Sequence, residues 1–366
     1  MTKVFIPQMK PWFGEEEKKA VCEYMDEGGF LTEYKHTTQF EQSIAEYTGA
    51  KHCIVVNNGT ISLTLAAIAL GIKAGDEVIV PNYTMIATPN SVKMIGATPV
   101  FVDVEEETLC LNVELVRKAI TPNTKALILV SANGRYPKTG IAAFEELSGI
   151  YNIPLIEDAA QSLGSYYPDG RHIGQAGKVG SFSFSSPKII STGQGGALIT
   201  DDDEVAFKLR RLKDFGRASG GNDIHDSIGY NFKFTELQAC VGIEQMKKLP
   251  QRVERKKEIW KRYSDNLHSN DSITFFDHNL EATVPWFIDS KVKRRDELVS
   301  FLYEENIGTR KMYPPINAQA AYKIPGKYPE SEKLGEMGLW LPSMTQLENQ
   351  DIDYISDKIL DFYKRR

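Results

Sequence analysis

The chain has 366 residues, 42% hydrophobic and 25% charged, the balance of a globular protein with room for two domains. A net charge of −6 argues against nucleic-acid binding, which calls for a basic face. No apolar run approaches the ~20 residues of a membrane span, and the first seven residues lack the apolar centre of a signal peptide, so a cytoplasmic protein with neither nucleic-acid nor membrane partner is expected.

Apolar runs at His52–Val56, Glu77–Val80, Thr98–Val104, Ala126–Val130 and Pro154–Ile156 read as strands. Helix-like stretches alternate with them: Thr60–Leu70, Thr84–Ile95, Val113–Ile120 and Ala142–Tyr151. Near-continuous apolar strands separated by helices describe an α/β fold, a mostly parallel sheet sandwiched by helices. Ser181–Ser185 alternates small polar with aromatic residues, which predicts a half-buried strand, and Ala197–Thr200 brings the strand count to seven. A long helix follows from Thr235 to His268, with a break or bend expected at Leu249-Pro250. Beyond Ser272 the pattern gives an isolated strand (Val284–Ile288), a helix (Asp296–Glu305) and a closing helix (Asp351–Tyr363). The expected division is a large domain over 1–250 and a smaller α+β domain over 251–366. Cys22, Cys53, Cys110 and Cys240 show no metal or redox spacing and read as small buried hydrophobes in a reducing compartment; no metal is expected.

Open parallel sheets bind ligands beyond the carboxyl ends of their strands, and three segments fall there. Asn57-Asn58-Gly59-Thr60 places a glycine and a hydroxyl where a strand meets a helix, either a phosphate cradle or an ordinary capped helix start. Glu157-Asp158-Ala159-Ala160-Gln161 puts carboxylates after an apolar strand, where one could pair with a protonated ring nitrogen or simply start a helix. Lys188 lies between a strand and the glycines Gly193, Gly195 and Gly196; it is either a surface lysine or the amine of a Schiff base with an aldehyde cofactor. No Gly-x-Gly-x-x-Gly follows the first strand, which excludes the dinucleotide reading.

In this order, the three segments resemble the DegT/StrS sugar aminotransferases, fold-type I pyridoxal phosphate enzymes. Gly75–Pro81, Gly96–Asp103, Gly229–Phe232 and Leu341–Ser343 extend the resemblance over nearly the whole chain. It implies that Lys188 carries the cofactor and shuttles protons, Asp158 meets the pyridine nitrogen, and Gln161 the ring hydroxyl. Gly59, Thr60 and Ser183 would hold the phosphate of pyridoxal 5'-phosphate, and Asn231 would reach the cofactor phosphate of a neighbouring subunit, making a homodimer with shared sites. Glutamate would be the donor and pyridoxamine phosphate the intermediate. A dehydrating branch of the family has histidine in place of the lysine, so Lys188 favours transamination.

Several positions depart from that pattern. Met85 stands where an aromatic residue stacks on the cofactor ring, and Gln194 where glutamate is usual. Ser131-Ala132-Asn133-Gly134-Arg135, Val284-Pro285-Trp286-Phe287, Lys311 and Pro315-Ile316-Asn317 replace histidine- and aromatic-bearing motifs. These departures point to an unusual substrate, bound by Arg135 or Arg310 with Asn317 nearby: a carboxylate-bearing sugar such as an 8-oxo-3-deoxy-octulosonate of lipopolysaccharide biosynthesis. Either arginine could instead hold glutamate or lie in solvent. A nucleotide-linked 4-keto-6-deoxy sugar, a pyridoxal-phosphate sugar dehydratase and a catalytically silent binding subunit are the other readings.

Overall fold

Two helices, α1 (Glu15–Glu27) and α2 (Lys35–Thr48), precede the first strand in a computed structural model that describes residues 4–217 and 223–364. The first three residues of the N-terminal segment lie outside the described residues. Neither helix is among the elements expected from the sequence. The start of α2 is capped from far along the chain: the N–H groups of Tyr34, His36 and Thr37 donate to the buried Glu236 carboxylate at 2.7, 2.8 and 2.9 Å. A carboxylate satisfies the otherwise unpaired amides of a helix N-terminus and meets the favourable end of its dipole.

Strands and helices then alternate: β1 (His52–Val56), α3 (Gly59–Ala69), β2 (Glu77–Pro81), α4 (Ala87–Met94), β3 (Thr98–Val102), α5 (Val113–Ala119), β4 (Thr124–Val130), α6 (Ala142–Tyr151) and β5 (Leu155–Asp158). After them come β6 (Val179–Ser183), β7 (Gly196–Thr200), α7 (Asp203–Lys213) and α8 (Glu236–Leu267). The seven strands form one sheet in the order β1-β7-β6-β5-β4-β2-β3. Only β7 runs against its neighbours; every other strand points the same way. The carboxyl ends of six strands and the start of β7 therefore share one edge.

Alternate residues of a strand face opposite sides. Leu127 and Leu129 enter a core with Phe40, Phe144 and Phe184, while Ala126 and Ile128 enter one with Leu65, Val80 and Leu198. Between β5 and β7, β6 is covered on both faces, so the half-buried strand expected at 181–185 is instead a central one that ends at Ser183.

The C-terminal part holds β8 (Ile273–Phe275), β9 (Ile288–Val292), α9 (Arg295–Glu304), β10 (Arg310–Lys311), α10 (Pro329–Met337), β11 (Gly338–Leu341) and α11 (Asn349–Lys364), with an antiparallel sheet ordered β10-β11-β9-β8. Residues 284–287 are not the expected strand. The N–H and carbonyl of Phe287 are both taken by the Asn133 side chain, so pairing begins only at Ile288. No break occurs at Pro250 either: α8 runs through it. The loss of one amide is tolerated where neighbouring turns are packed, and here Leu249 and Val253 lie in the sheet core. Ile259, Tyr263 and Leu267 of the same helix lie in the C-terminal core. The expected limit at residue 250 thus falls inside a helix, a few residues before the core it serves changes. Cys53, Cys110 and Cys240 are buried, but Cys22 is exposed on α1, contrary to the reading of all four as core.

Lys256 sits where α8 passes from one core to the other. Its Nζ donates to the carbonyls of Trp286, at 2.7 Å, and Ser343, and it has no acidic partner among the described residues. Burial holds its ammonium down at about 7. The unfolded chain then binds the extra proton between about pH 7 and the ordinary lysine value, so this lysine's contribution to stability rises with pH across that window and is lost as pH falls. Urea denaturation at pH 7.5 and pH 9.5 should show wild type gaining roughly 2 kcal/mol relative to Lys256→Met.

Candidate active site

The shared strand edge gathers the chemistry. Glu157 and Asp158 are neighbours on β5 and so point to opposite faces. The fully buried Glu157 accepts from the Tyr167 hydroxyl and from the N–H groups of Gly174 (3.0 Å) and Gly177 (2.6 Å); it fixes a turn and is closed to ligands. Asp158 accepts from the Thr88 hydroxyl at 2.7 Å and the Ala160 N–H at 3.2 Å. Burial raises its pKa, while the Thr88 bond, the Lys188 charge and the Ala160 N–H pull it down. Thr88 in turn lies 3.0 Å from the Thr84 hydroxyl.

Lys188 follows β6 in a turn closed by its N–H on the Ser185 carbonyl at 3.0 Å. Its Nζ lies 4.2 Å from the centre of the Trp286 ring and has no hydrogen-bonding or ion-pair partner among the described residues. Burial above all, helped by the Arg310 charge and opposed by Asp158, lowers its pKa to about 8. An amine so tuned is available both as base and as acid near neutral pH.

The start of α3 lies at the same edge, after the carboxyl end of β1. Asn58 caps the helix, its Oδ1 accepting from Ile61 N–H at 2.9 Å, which leaves the N–H groups of Gly59 and Thr60 unpartnered among the described residues. A Cβ on Gly59 would lie 2.8 Å from the Cβ of Ser183, and one on Gly196 would lie 2.6 Å from the Asn58 carbonyl. These two glycines bring the ends of β1, β6 and β7 close enough to form a cradle of amides with the Thr60 and Ser183 side chains beside it. Exposed amides at a helix start suit a phosphate.

The remaining expected residues divide. Gln161 joins the edge, its Oε1 accepting from Asn133 N–H at 2.6 Å. Met85, before α4, is 44% exposed. Asn231 is also exposed, next to Phe232, whose carbonyl accepts from Asn57 N–H at 3.3 Å beside the cradle. Arg135 meets a carboxylate of the chain itself. Its buried guanidinium grips Asp289 with both Nη atoms, donates from Nε to the Thr108 carbonyl at 3.0 Å, and donates to His278 Nε2 at 2.9 Å. Asn317 is likewise committed: it exchanges two 2.9 Å bonds with Asn82 and donates to the Ile324 carbonyl at 3.0 Å. Arg310 is different. It is exposed on β10, its guanidinium carbon 5.4 Å from the Trp340 ring centre, with no carboxylate partner among the described residues, and its charge is felt at Lys188 and at the Tyr313 phenol.

Thr88, Trp286 and Tyr313 escaped the sequence reading as site residues. Thr88 carried one usable signal, a hydroxyl one helical turn after Thr84 in a segment between two strands; the other two depend on how the C-terminal part docks.

The model of the DegT/DnrJ/EryC1/StrS aminotransferase family matches residues 12–360. A GDP-perosamine synthase of Escherichia coli O157:H7 is 34% identical over 98% of this chain and 99% of its own, and one of Vibrio cholerae is 31% identical over the same shares. The structure of S. venezuelae DesV in complex with a ketimine intermediate superposes with a TM-score of 0.92 at 32% identity, covering 100% of both chains.

A guanidinium buried against a carboxylate cannot be removed cheaply, because the partner charge is left unpaired. Arg135→Ala should destabilise the protein by about 3–5 kcal/mol in urea unfolding. Loss of substrate affinity at unchanged stability would instead mark Arg135 as a ligand-binding residue.

Proposed function

The chain belongs to the DegT/DnrJ/EryC1/StrS aminotransferase family, and on that premise we propose that it moves an amino group from glutamate to the keto group of a nucleotide-linked 4-keto-6-deoxy sugar, with Lys188 as its catalytic residue. Membership of this family makes the protein a sugar aminotransferase that uses pyridoxal 5'-phosphate. The observation that supports Lys188 as the catalytic residue is its unpartnered amine, sharing a strand edge with buried Asp158 and the unpaired amides at the start of α3.

These groups fit the cofactor. The cradle matches a phosphate, the buried carboxylate a protonated pyridine nitrogen, and the amine an aldehyde. When bound, pyridoxal phosphate supplies the electron sink that lets nitrogen leave one carbon and join another. The chain supplies the rest. Gly59, Thr60 and Ser183 bind the phosphate, with Asn231 of a second subunit completing it in a homodimer. Asp158 keeps the ring nitrogen protonated, and Thr88 keeps Asp158 charged. Gln161 faces the ring hydroxyl, while Met85 lies at the exposed side of the site. Lys188, with its Nζ near neutral in pKa, would take up and give back the proton that the transfer moves, first as base and then as acid.

Two observations favour the nucleotide-linked sugar over the octulosonate. The sugar-acid reading needs a spare cation, but Asp289 holds Arg135, so Arg310 alone would have to serve both the sugar acid and the glutamate donor. Relatives named GDP-perosamine synthase span nearly the whole chain. A cytoplasmic role in making a surface polysaccharide fits such a sugar, and the lysine argues against both the dehydratase and the silent-subunit readings.

Purified enzyme should be assayed with glutamate and, separately, a nucleotide-linked 4-keto-6-deoxy sugar and an 8-oxo-octulosonate, with products read by mass spectrometry. Nitrogen should replace the carbonyl oxygen of the nucleotide-linked sugar; turnover confined to the sugar acid overturns that assignment. Lys188→Ala should lose at least about 1,000-fold in kcat. Arg310→Ala should raise the glutamate KM roughly 10- to 100-fold. Thr88→Val, which keeps shape and removes one donor to Asp158, should lower kcat about tenfold, with recovery in Thr88→Ser.

A further inference from the structure

We propose that Trp286 is a positioning residue for Lys188, its indole face holding the free ε-ammonium in the site whenever that lysine is released from the cofactor. This rests on the reading of Lys188 above and adds to it the residue that keeps the amine in place. The Nζ lies 4.2 Å from the ring centre, well inside the ~6 Å over which a cation is attracted to an aromatic face. Any other fixed partner for it is missing among the described residues. Without a docking face, a lysine of four rotatable bonds would sample many positions remote from the carbons between which it must carry a proton.

The ring itself is fixed from several directions. Its Nε1 donates to the carbonyl of Pro187, the residue before Lys188, at 2.8 Å, so ring and lysine are registered to each other. It stacks on Phe287 with centres 3.8 Å apart and planes 19° apart, and meets Trp340 edge-on at 5.9 Å. Its carbonyl accepts from Lys256 Nζ at 2.7 Å. One residue on, the Phe287 N–H donates to Asn133 Oδ1 at 2.6 Å, and its carbonyl accepts from Asn133 Nδ2 at 2.8 Å. Asn133 adopts the left-handed conformation (φ 54°) that turns its side chain to this task while its own N–H holds Gln161. The run Ser131–Arg135 and the run Val284–Phe287, two stretches that depart from the family pattern, are therefore halves of a single device. It ties the cap on Lys188 to a residue expected on the cofactor ring.

Two charged groups face Lys188, Asp158 and Arg310, and one faces the Trp286 backbone, Lys256. The experiment separates them. The holoenzyme is held in its pyridoxamine phosphate form by excess glutamate, which frees Lys188, and tryptophan emission is followed with pH. A step near pH 8 is expected, where Lys188 titrates. It should be absent from Lys188→Met loaded with pyridoxamine phosphate and from Trp286→Phe. No step in wild type overturns the proposal; so does a step that persists in Lys188→Met, which belongs to Lys256.

Kinetics provide a second readout. Trp286→Phe keeps an aromatic face and loses the bond to Pro187; Trp286→Leu loses both. The expected fall in kcat is about fivefold for the first and roughly 30-fold for the second, with the glutamate KM held within about threefold. An unchanged kcat in Trp286→Leu, or a loss seen only in KM, overturns the proposal. Should Trp286→Leu fail to fold, the emission titration and the Phe variant carry the test. Retained turnover in Lys188→Met would remove the reading of Lys188 itself, whereas an inert Lys188→Met beside indifferent Trp286 variants removes the positioning role alone.

Discussion

A carboxylate and an ammonium are held at one buried edge without touching. Asp158 and Lys188 each register the other's charge, yet no contact joins them. A direct ion pair would satisfy both more fully, so the separation costs stability, and separate partners have to support each group. Asp158 gets the Thr88 hydroxyl and the Ala160 N–H. Lys188 gets an aromatic face in place of an anion. The sheet makes this arrangement: adjacent parallel strands deliver Asp158 at the end of β5 and the turn to Lys188 after β6, and the glycines at the start of α3 and β7 complete the edge.

The C-terminal part serves the same edge from above. Beside an apolar cluster that packs Tyr83, Leu109 and Ala132 against Trp286, Phe287 and Trp340, polar contacts join it to the sheet: Asn133 to the Phe287 backbone, Lys256 to the Trp286 and Ser343 carbonyls, and Arg135 to the Asp289 carboxylate. Such bonds fix orientation to within fractions of an ångström, where apolar packing alone tolerates sliding. The helix that carries Lys256 also carries residues of both cores, so the two parts are joined through a rigid element as well as through the site.

The alternation of apolar strands and helices was readable because periodicity is local. β1 was placed to the residue, and β2, β4, β5 and β7 to within two. The three chemical segments were readable for a related reason: a strand end followed by Gly-Thr, by Asp or by a lysine and glycines concentrates unusual residue types in a few positions. What could not be read depends on partners distant in sequence. The cap of α2 needs Glu236, about 200 residues away. Residues 284–287 look like a strand in composition, and only the Asn133 side chain, 154 residues upstream, takes the bonds a strand would have used. Trp286 looked like part of an apolar run because nothing local shows which group its face will cover.

The two arginines show why residue type alone does not identify a ligand-binding group. Arg135 and Arg310 carry the same guanidinium, the first in a segment that departs from the family pattern and the second in a Thr309-Arg310 pair that keeps it. Burial decides between them. A guanidinium at 4% exposure must be paired within the chain, since desolvating an isolated charge costs several kcal/mol, and Asp289 at 1% exposure meets that need reciprocally. At the surface the same group stays hydrated while stacked on Trp340, so leaving it without a carboxylate costs little. A cation can be kept free for an incoming anion only where solvent supports it in the meantime. Arg310 meets that condition beside Lys188, and it lowers the pKa of that lysine even before any substrate arrives.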